Sequence, residues 1–268
     1  LFPWLNILDN SLLGLKVQKK ITKENDYYIS EDVDSNTKIA FISDTRFGSK
    51  NEQIAILNDM YKNFAIAGIK YVFVLGNLLE GPYKGESNLE YGKSLTNDAY
   101  GQADHLIEYY PKVEGIQTLF ITGKNDHKFS RDLNVGEYIS KHRDDMIYLG
   151  PKACTVHFND VTFKLEQLKV GDAYTIAYPP QTYSRSMSSY EDYDAIFLSG
   201  TRSIQHFPSI RDTQIFSIPS VVERTPLMKA NKQQNTIGAM VVNLSYTKTG
   251  KLKRMLPEVM PYYTPSKD

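Results

Sequence analysis

The sequence predicts an α/β fold, α/β in its first half and mostly β in its second, forming one domain with two packed sheets. Three observations carry that reading. From Lys38 onward, short β-branched and aromatic runs alternate with helical patterns. After MIYLG, at 146–150, the texture changes to closely spaced strands. Four runs, FISDTRFG, VLGNLLEG, FITGKNDH and FLSGTRS, pass from an apolar strand into a polar loop in the same fashion.

Taken in order, KIAFIS is the first strand of the main domain. NEQIAILNDMYKNFAIAG follows, with Ile54, Leu57, Tyr61 and Phe64 at helical spacing and Gly68 as a stop. YVFVLG completes a βαβ unit. A long loop over 76–97, a helix over 99–110, the strand TLFITG, a short helix over 135–141 and the strand MIYLG come next. ACTVHF and VTFKL are joined as a hairpin across Asn159-Asp160, then come YTIAY, AIFLSG, TQIFSI and GAMVVNLSY. A Lys248-Thr249-Gly250 turn leads into KLKRMLP as another hairpin. Residues 179–193, PPQTYSRSMSSYEDY, read as an exposed loop. Residues 1–33 read as an N-terminal extension and linker, and 34–268 as the domain.

A chain of 268 residues, 41% hydrophobic and 12% aromatic, can bury a sizeable core. Thirty-one basic residues against 31 acidic ones argue against nucleic-acid binding by bulk charge, though a local patch stays open. The single cysteine, Cys154, excludes an intrachain disulfide framework and a cysteine-based zinc site, and fits a reducing, cytoplasmic setting. It reads as a small core residue. LFPWLNILDNSLLGL lacks a basic n-region, carries Asn6 and Asp9, and falls short of the ~18 residues that span a bilayer. Neither a signal peptide nor a membrane helix is expected.

Loops at the carboxyl ends of strands in an α/β sheet converge on one crevice, so the four polar turns form the candidate site. In order and position they resemble the calcineurin-like metallophosphoesterase superfamily, and its phage and bacterial branch most closely. That pattern runs D-x-H, G-D-x-x-D, G-N-H-D, a strand-end His, then G-H-x-H. The resemblance spans residues 38–263, including PKVEGIQTLFITG, RDDMIYLG and PEVMPYY. It implies a two-sheet sandwich with helices on the outer faces.

What the resemblance implies for chemistry is mostly loss. Two divalent metals, Mn or Mg, would need carboxylates, imidazoles and an amide oxygen around them. Here D-x-H is Asp44 followed by Arg46, and the bridging Asp is Asn77, with Glu80 at the second acidic position. G-N-H-D has become Gly123-Lys124-Asn125-Asp126, the strand-end His aligns with Gln167, and G-H-x-H is Gly200-Thr201-Arg202-Ser203. Of the metal ligands only Asp44 persists, and the proton donor is replaced. No cofactor is therefore expected. Arg46 and Lys124 are expected to project positive charge into the pocket, pairing with Asp44 and Asp126.

The expected function is that of an inactive member of the superfamily, a structural or interaction subunit with protein partners in a larger, phage-derived assembly. Its site would be the cytoplasm of a host or a virion, with no membrane partner. Two alternatives stand beside it. One is a phosphodiesterase or nuclease using Mn or Mg through Asp44, Asp126, His127 and Glu80. The other is an anion or nucleotide sensor binding through Arg46, Lys124 and Arg202. His127 otherwise reads as an exposed loop histidine, and Asp44 as a carboxylate satisfying turn amides. His206 would need a register slip to reach the site. His105, His142 and His157 read as surface or packing residues. KTGKLKR reads as a lysine-protected hairpin edge. The tyrosines of 181–193, with Tyr83 and Tyr91, lie in segments expected to be exposed.

Overall fold

The computed structural model describes residues 25–30, 36–82, 95–168, 175, 177–187, 192–210 and 212–263. Tyr83, Tyr91 and Tyr190 fall outside them. The elements are β1 (Asn25–Ile29), β2 (Asn36–Ile42), α1 (Ile54–Ile66), β3 (Tyr71–Leu75), α2 (Ala99–Tyr109) and β4 (Gln117–Thr122). A 3-10 turn (Asp126–Phe129) leads to α3 (Val135–His142), β5 (Met146–Pro151), β6 (Ala153–Phe158), β7 (Val161–Gln167), α4 (Tyr178–Ser186) and β8 (Ala195–Ser199). The remainder is β9 (Gln205–Ile210), β10 (Thr213–Ser217), α5 (Pro226–Ala230), β11 (Ile237–Tyr246) and β12 (Leu252–Tyr262).

Two six-stranded sheets face each other, in the orders β12-β11-β2-β3-β4-β5 and β1-β6-β7-β8-β10-β9. The expected α/β sandwich of two sheets is the fold. Strands β2 to β5 run parallel, and they are covered on both faces, which is why they read as unbroken apolar runs. Six phenylalanines, Phe158 among them, lie in the core between the sheets. Phe41 stacks on Phe197 across the gap with ring centroids 3.7 Å apart, and Phe197 stacks on Phe216 at 4.9 Å. Phe73 and Phe163 meet edge to face. Burying one such side chain contributes about 1.5–3 kcal/mol, so this ladder holds the layers together.

The outer face of the first sheet carries α1, α2 and α3. In α1, Ile56, Leu57, Met60, Tyr61 and Phe64 are buried on it. Asp98 caps α2 through Gly101 N at 2.6 Å, and Asn134 caps α3. Arg143 closes the far end of α2, donating to the carbonyls of Ile107, Tyr110 and Pro111 while paired with Asp145. Both expected hairpins are present, β6-β7 and β11-β12.

Several elements differ from expectation. Residues 178–186 are a helix, not the end of a strand YTIAY and an exposed loop. Pro179 and Pro180 suit a first helical turn, whose amides need no partner. Tyr183 and Met187 then pack against Ile196, Leu198 and Ile215 on the outer face of the second sheet. Beneath them Lys164 is buried, paired with Glu166 at 3.4 Å and lying over the rings of Tyr183 and Tyr193. Residues 25–29, inside the stretch expected to be linker, form an edge strand parallel to β6. Strand β9 and helix α5 were not anticipated. No helix among the described residues is long and apolar enough to cross a membrane.

Candidate functional site

The ends of β2, β3, β4, β7 and β8 meet, as the sequence pattern requires. Backbone bonds stitch the first two loops together, from Asp44 N to Gly76 O and from Arg46 N to Asn77 O, each 3.1 Å. Gly123 closes on the same point: a Cβ there would lie 2.5 Å from Asn77 N and from Gln167 Nε2. Only glycine permits that approach.

At the centre is a cation held by two carboxylates. Arg46 Nε donates to Asp44 Oδ1 at 3.1 Å, and its Nη1 lies 3.6 Å from Glu80 Oε2. Asp44 and Glu80 are buried, Arg46 nearly so. The Asn77 amide ties three loops, giving its N–H to Asp44 Oδ1 at 2.8 Å and accepting Asn125 N at 2.9 Å. An aspartate at this position could not donate to Asp44; it would repel it.

Asp126 has a different partner set from the expected cation. Its carboxylate accepts Gly123 N at 2.6 Å, Leu79 N at 2.8 Å and Leu78 N at 3.2 Å. Burial nevertheless pushes its pKa up to about 6 against the pull of these amides. Satisfying turn amides, the role expected of Asp44, therefore belongs to Asp126. Asp44 instead is a carboxylate locked by side chains.

Lys124 does not enter the pocket. Its side chain is exposed, and its backbone N–H bonds Gln167 Oε1. Gln167 thus joins the site, with Nε2 buried and without a hydrogen-bond partner among the described residues. At the end of β8, Thr201 is buried, its hydroxyl likewise unpartnered among the described residues, and Ser203 Oγ accepts Gln205 Nε2 at 2.6 Å. Arg202 donates from Nη2 to Gln233 Oε1 at 3.0 Å. Burial lowers its pKa, Asp44 raises it and Arg46 lowers it, which marks it as a second cation beside the pair. Asp44, Arg46, Asn77 and Arg202 all adopt positive φ, between 48° and 52°. Such strain is rare outside glycine and concentrates where loops are held for a purpose.

The histidines stay apart from this centre. His127 is half-buried rather than exposed, bonded through Nε2 to Thr122 Oγ1 at 3.1 Å, and burial lowers its pKa. His206 is exposed and stacks on Phe216. His105 pairs with Glu52 at 2.8 Å, His142 bonds the Tyr138 carbonyl and His157 stacks on Tyr28. The missed member of the site is the segment after β10. Val222 N bonds Asp44 O at 3.0 Å and Ser43 Oγ bonds Pro219 O; no sequence motif marks that contact.

The divalent metals implied by the resemblance do not fit these residues. Among the described residues no three His, Cys, Asp or Glu side chains group as a metal would require. Where Asp44 and Glu80 approach each other, a guanidinium stands between them.

No protein-family model matches the chain, and no curated protein matches it. Solved structures do. A Vps29 single mutant from Entamoeba histolytica is 11% identical, with 85% of this chain and 100% of that one covered and a TM-score of 0.41. GAP50, the anchor in the inner membrane complex of Plasmodium, is 11% identical over 85% of this chain and 90% of that one, TM-score 0.45. A phosphatase of Mycoplasma pneumoniae is 10% identical over 84% and 94%, TM-score 0.40. At this level of likeness the chemistry is read from the chain's own residues.

Proposed function

We propose that this chain is a calcineurin-like metallophosphoesterase relative that has lost hydrolysis and works as a structural or interaction subunit of a larger assembly. One observation carries the reading: Arg46 bridges Asp44 and Glu80 in the crevice where the superfamily pattern has a histidine ligand. A fixed cation there neutralises the carboxylates that would otherwise gather metal. Asn77 and the Arg46 ion pairs hold the strained loops together. Assignment to a phage-derived assembly rests on the sequence resemblance.

Hydrolysis of bis-p-nitrophenyl phosphate with Mn²⁺ or Mg²⁺, together with thermal melting in Mn²⁺ and in EDTA, tests this. The expected result is no turnover beyond that of Asp44→Ala and one melting temperature in all conditions. Metal-dependent turnover abolished by Asp44→Ala would restore the phosphodiesterase reading.

A further inference from the structure

A groove lies beside the ends of β4 and β5 and shares Asp126 with the candidate site. Its inner part is a cavity of about 230 Å³ lined by Thr122, Asp126, His127, Tyr148 and the start of α3. Its outer part, about 680 Å³, opens between the start of β1 and α3 and is lined by Asp26, Tyr27, Asn134, Glu137, Tyr148 and Pro151. Asn134, Tyr148 and Pro151 line both, so the two are continuous.

The described lining carries acidic groups: Asp26 and Glu137 stand at the mouth on separate elements, Asp126 lies at the inner end, and no lysine or arginine is among the described lining residues. Among the described residues neither Asp26 nor Glu137 is in an ion pair. Two tyrosines supply aromatic surface. Tyr148 is set rigidly: its hydroxyl bonds Thr122 Oγ1 at 3.1 Å, and a Cβ at Gly136 would run into its ring.

We propose that this groove receives an arginine side chain presented by a protein partner. A planar guanidinium can bridge carboxylates on two elements while lying against a tyrosine face, geometry that a compact, strongly hydrated ammonium matches less well. Tyr148 is fixed beforehand, so little ordering of that wall opposes binding. The site is separate from the Arg46 centre, and its test does not depend on whether that centre is inactive.

The probe is the tripeptide acetyl-Gly-Arg-Gly-amide, titrated against the whole chain while the amide resonances of Glu137, Tyr148 and Gly150 are followed. Saturable shifts at these three are expected, with weaker binding of the lysine tripeptide and of methylguanidinium. D26N/E137Q should weaken the arginine peptide by about tenfold or more, since charge-assisted bonds are lost. Both positions are exposed, so an unchanged spectrum elsewhere shows that the variant is folded. Shifts absent, or equal in the double variant, overturn the proposal. Methylguanidinium binding as tightly as the arginine peptide overturns it in favour of a free small cation, and equal binding of the lysine peptide overturns the choice of arginine.

Discussion

Arg46 Nε lies 3.1 Å from Asp44 Oδ1, and both residues hold left-handed backbone conformations, at φ 48° and 50°. The pair sits two residues apart on a loop that bends back over itself, with Glu80 closing from the loop after β3. The ion pairs tie the loop after β2 to the loop after β3, and breaking them singly would leave a charge buried and uncompensated.

Removing the cation alone exposes the cost of that arrangement. Arg46→Met removes the guanidinium paired with the buried Asp44 and Glu80 and is expected to lower unfolding free energy by about 3–5 kcal/mol, measured by urea titration. Adding Asp44→Asn and Glu80→Gln to it should recover part of the loss. Additive losses would mean that the three groups do not act as one unit.

Asn77→Asp tests the amide bridge. The substitution removes the donor to Asp44 and sets a second carboxylate beside it. A loss of about 1–3 kcal/mol at neutral pH is expected, diminishing as the solution is acidified and the new carboxyl protonates. Equal loss at pH 5 and pH 8 would show that charge is not the cause.

Asp126 should give a visible pH signature. Its folded pKa of about 6 lies above the ordinary carboxylate value of 3.8. The folded protein therefore binds this proton where the unfolded chain has released it. The stabilisation is complete below about pH 4 and is lost as pH rises through about 6. A carbon-detected titration of the Asp126 carboxyl should show the elevated midpoint. A midpoint below 4 would mean that the three amide donors outweigh burial.

Tyr183→Phe addresses the docking of α4. The hydroxyl donates to Glu166 Oε2 at 2.5 Å, next to buried Lys164. Its removal should cost about 1–3 kcal/mol and speed amide hydrogen exchange in 178–186 more than in α1. Uniform protection would show that α4 is held by apolar contact alone.

Strand and helix order was legible because periodicity is a local property. KIAFIS, YVFVLG, TLFITG and AIFLSG are buried on both faces and say so in an unbroken apolar run. PPQTYSRSMSSYEDY misleads for the opposite reason. Its composition is polar, and Ile196 and Leu198 on β8 with Ile215 on β10 give its Tyr183 and Met187 a surface to bury against. The site divides the same way. The strand-end motifs identify Asp44, Arg46, Asn77, Asp126 and Gln167 as neighbours. They do not say that Lys124 turns outward, nor that Asp126 is claimed by amides.

Residue order along the chain was enough to specify two sheets, their parallel strands and the crevice where their ends converge, because burial patterns and terminal glycines are written in short windows. Which charges face each other in that crevice was settled by folding alone. Asp44, Glu80 and Arg46 are drawn from two loops, and their pairing depends on backbone angles and burial that no single segment encodes.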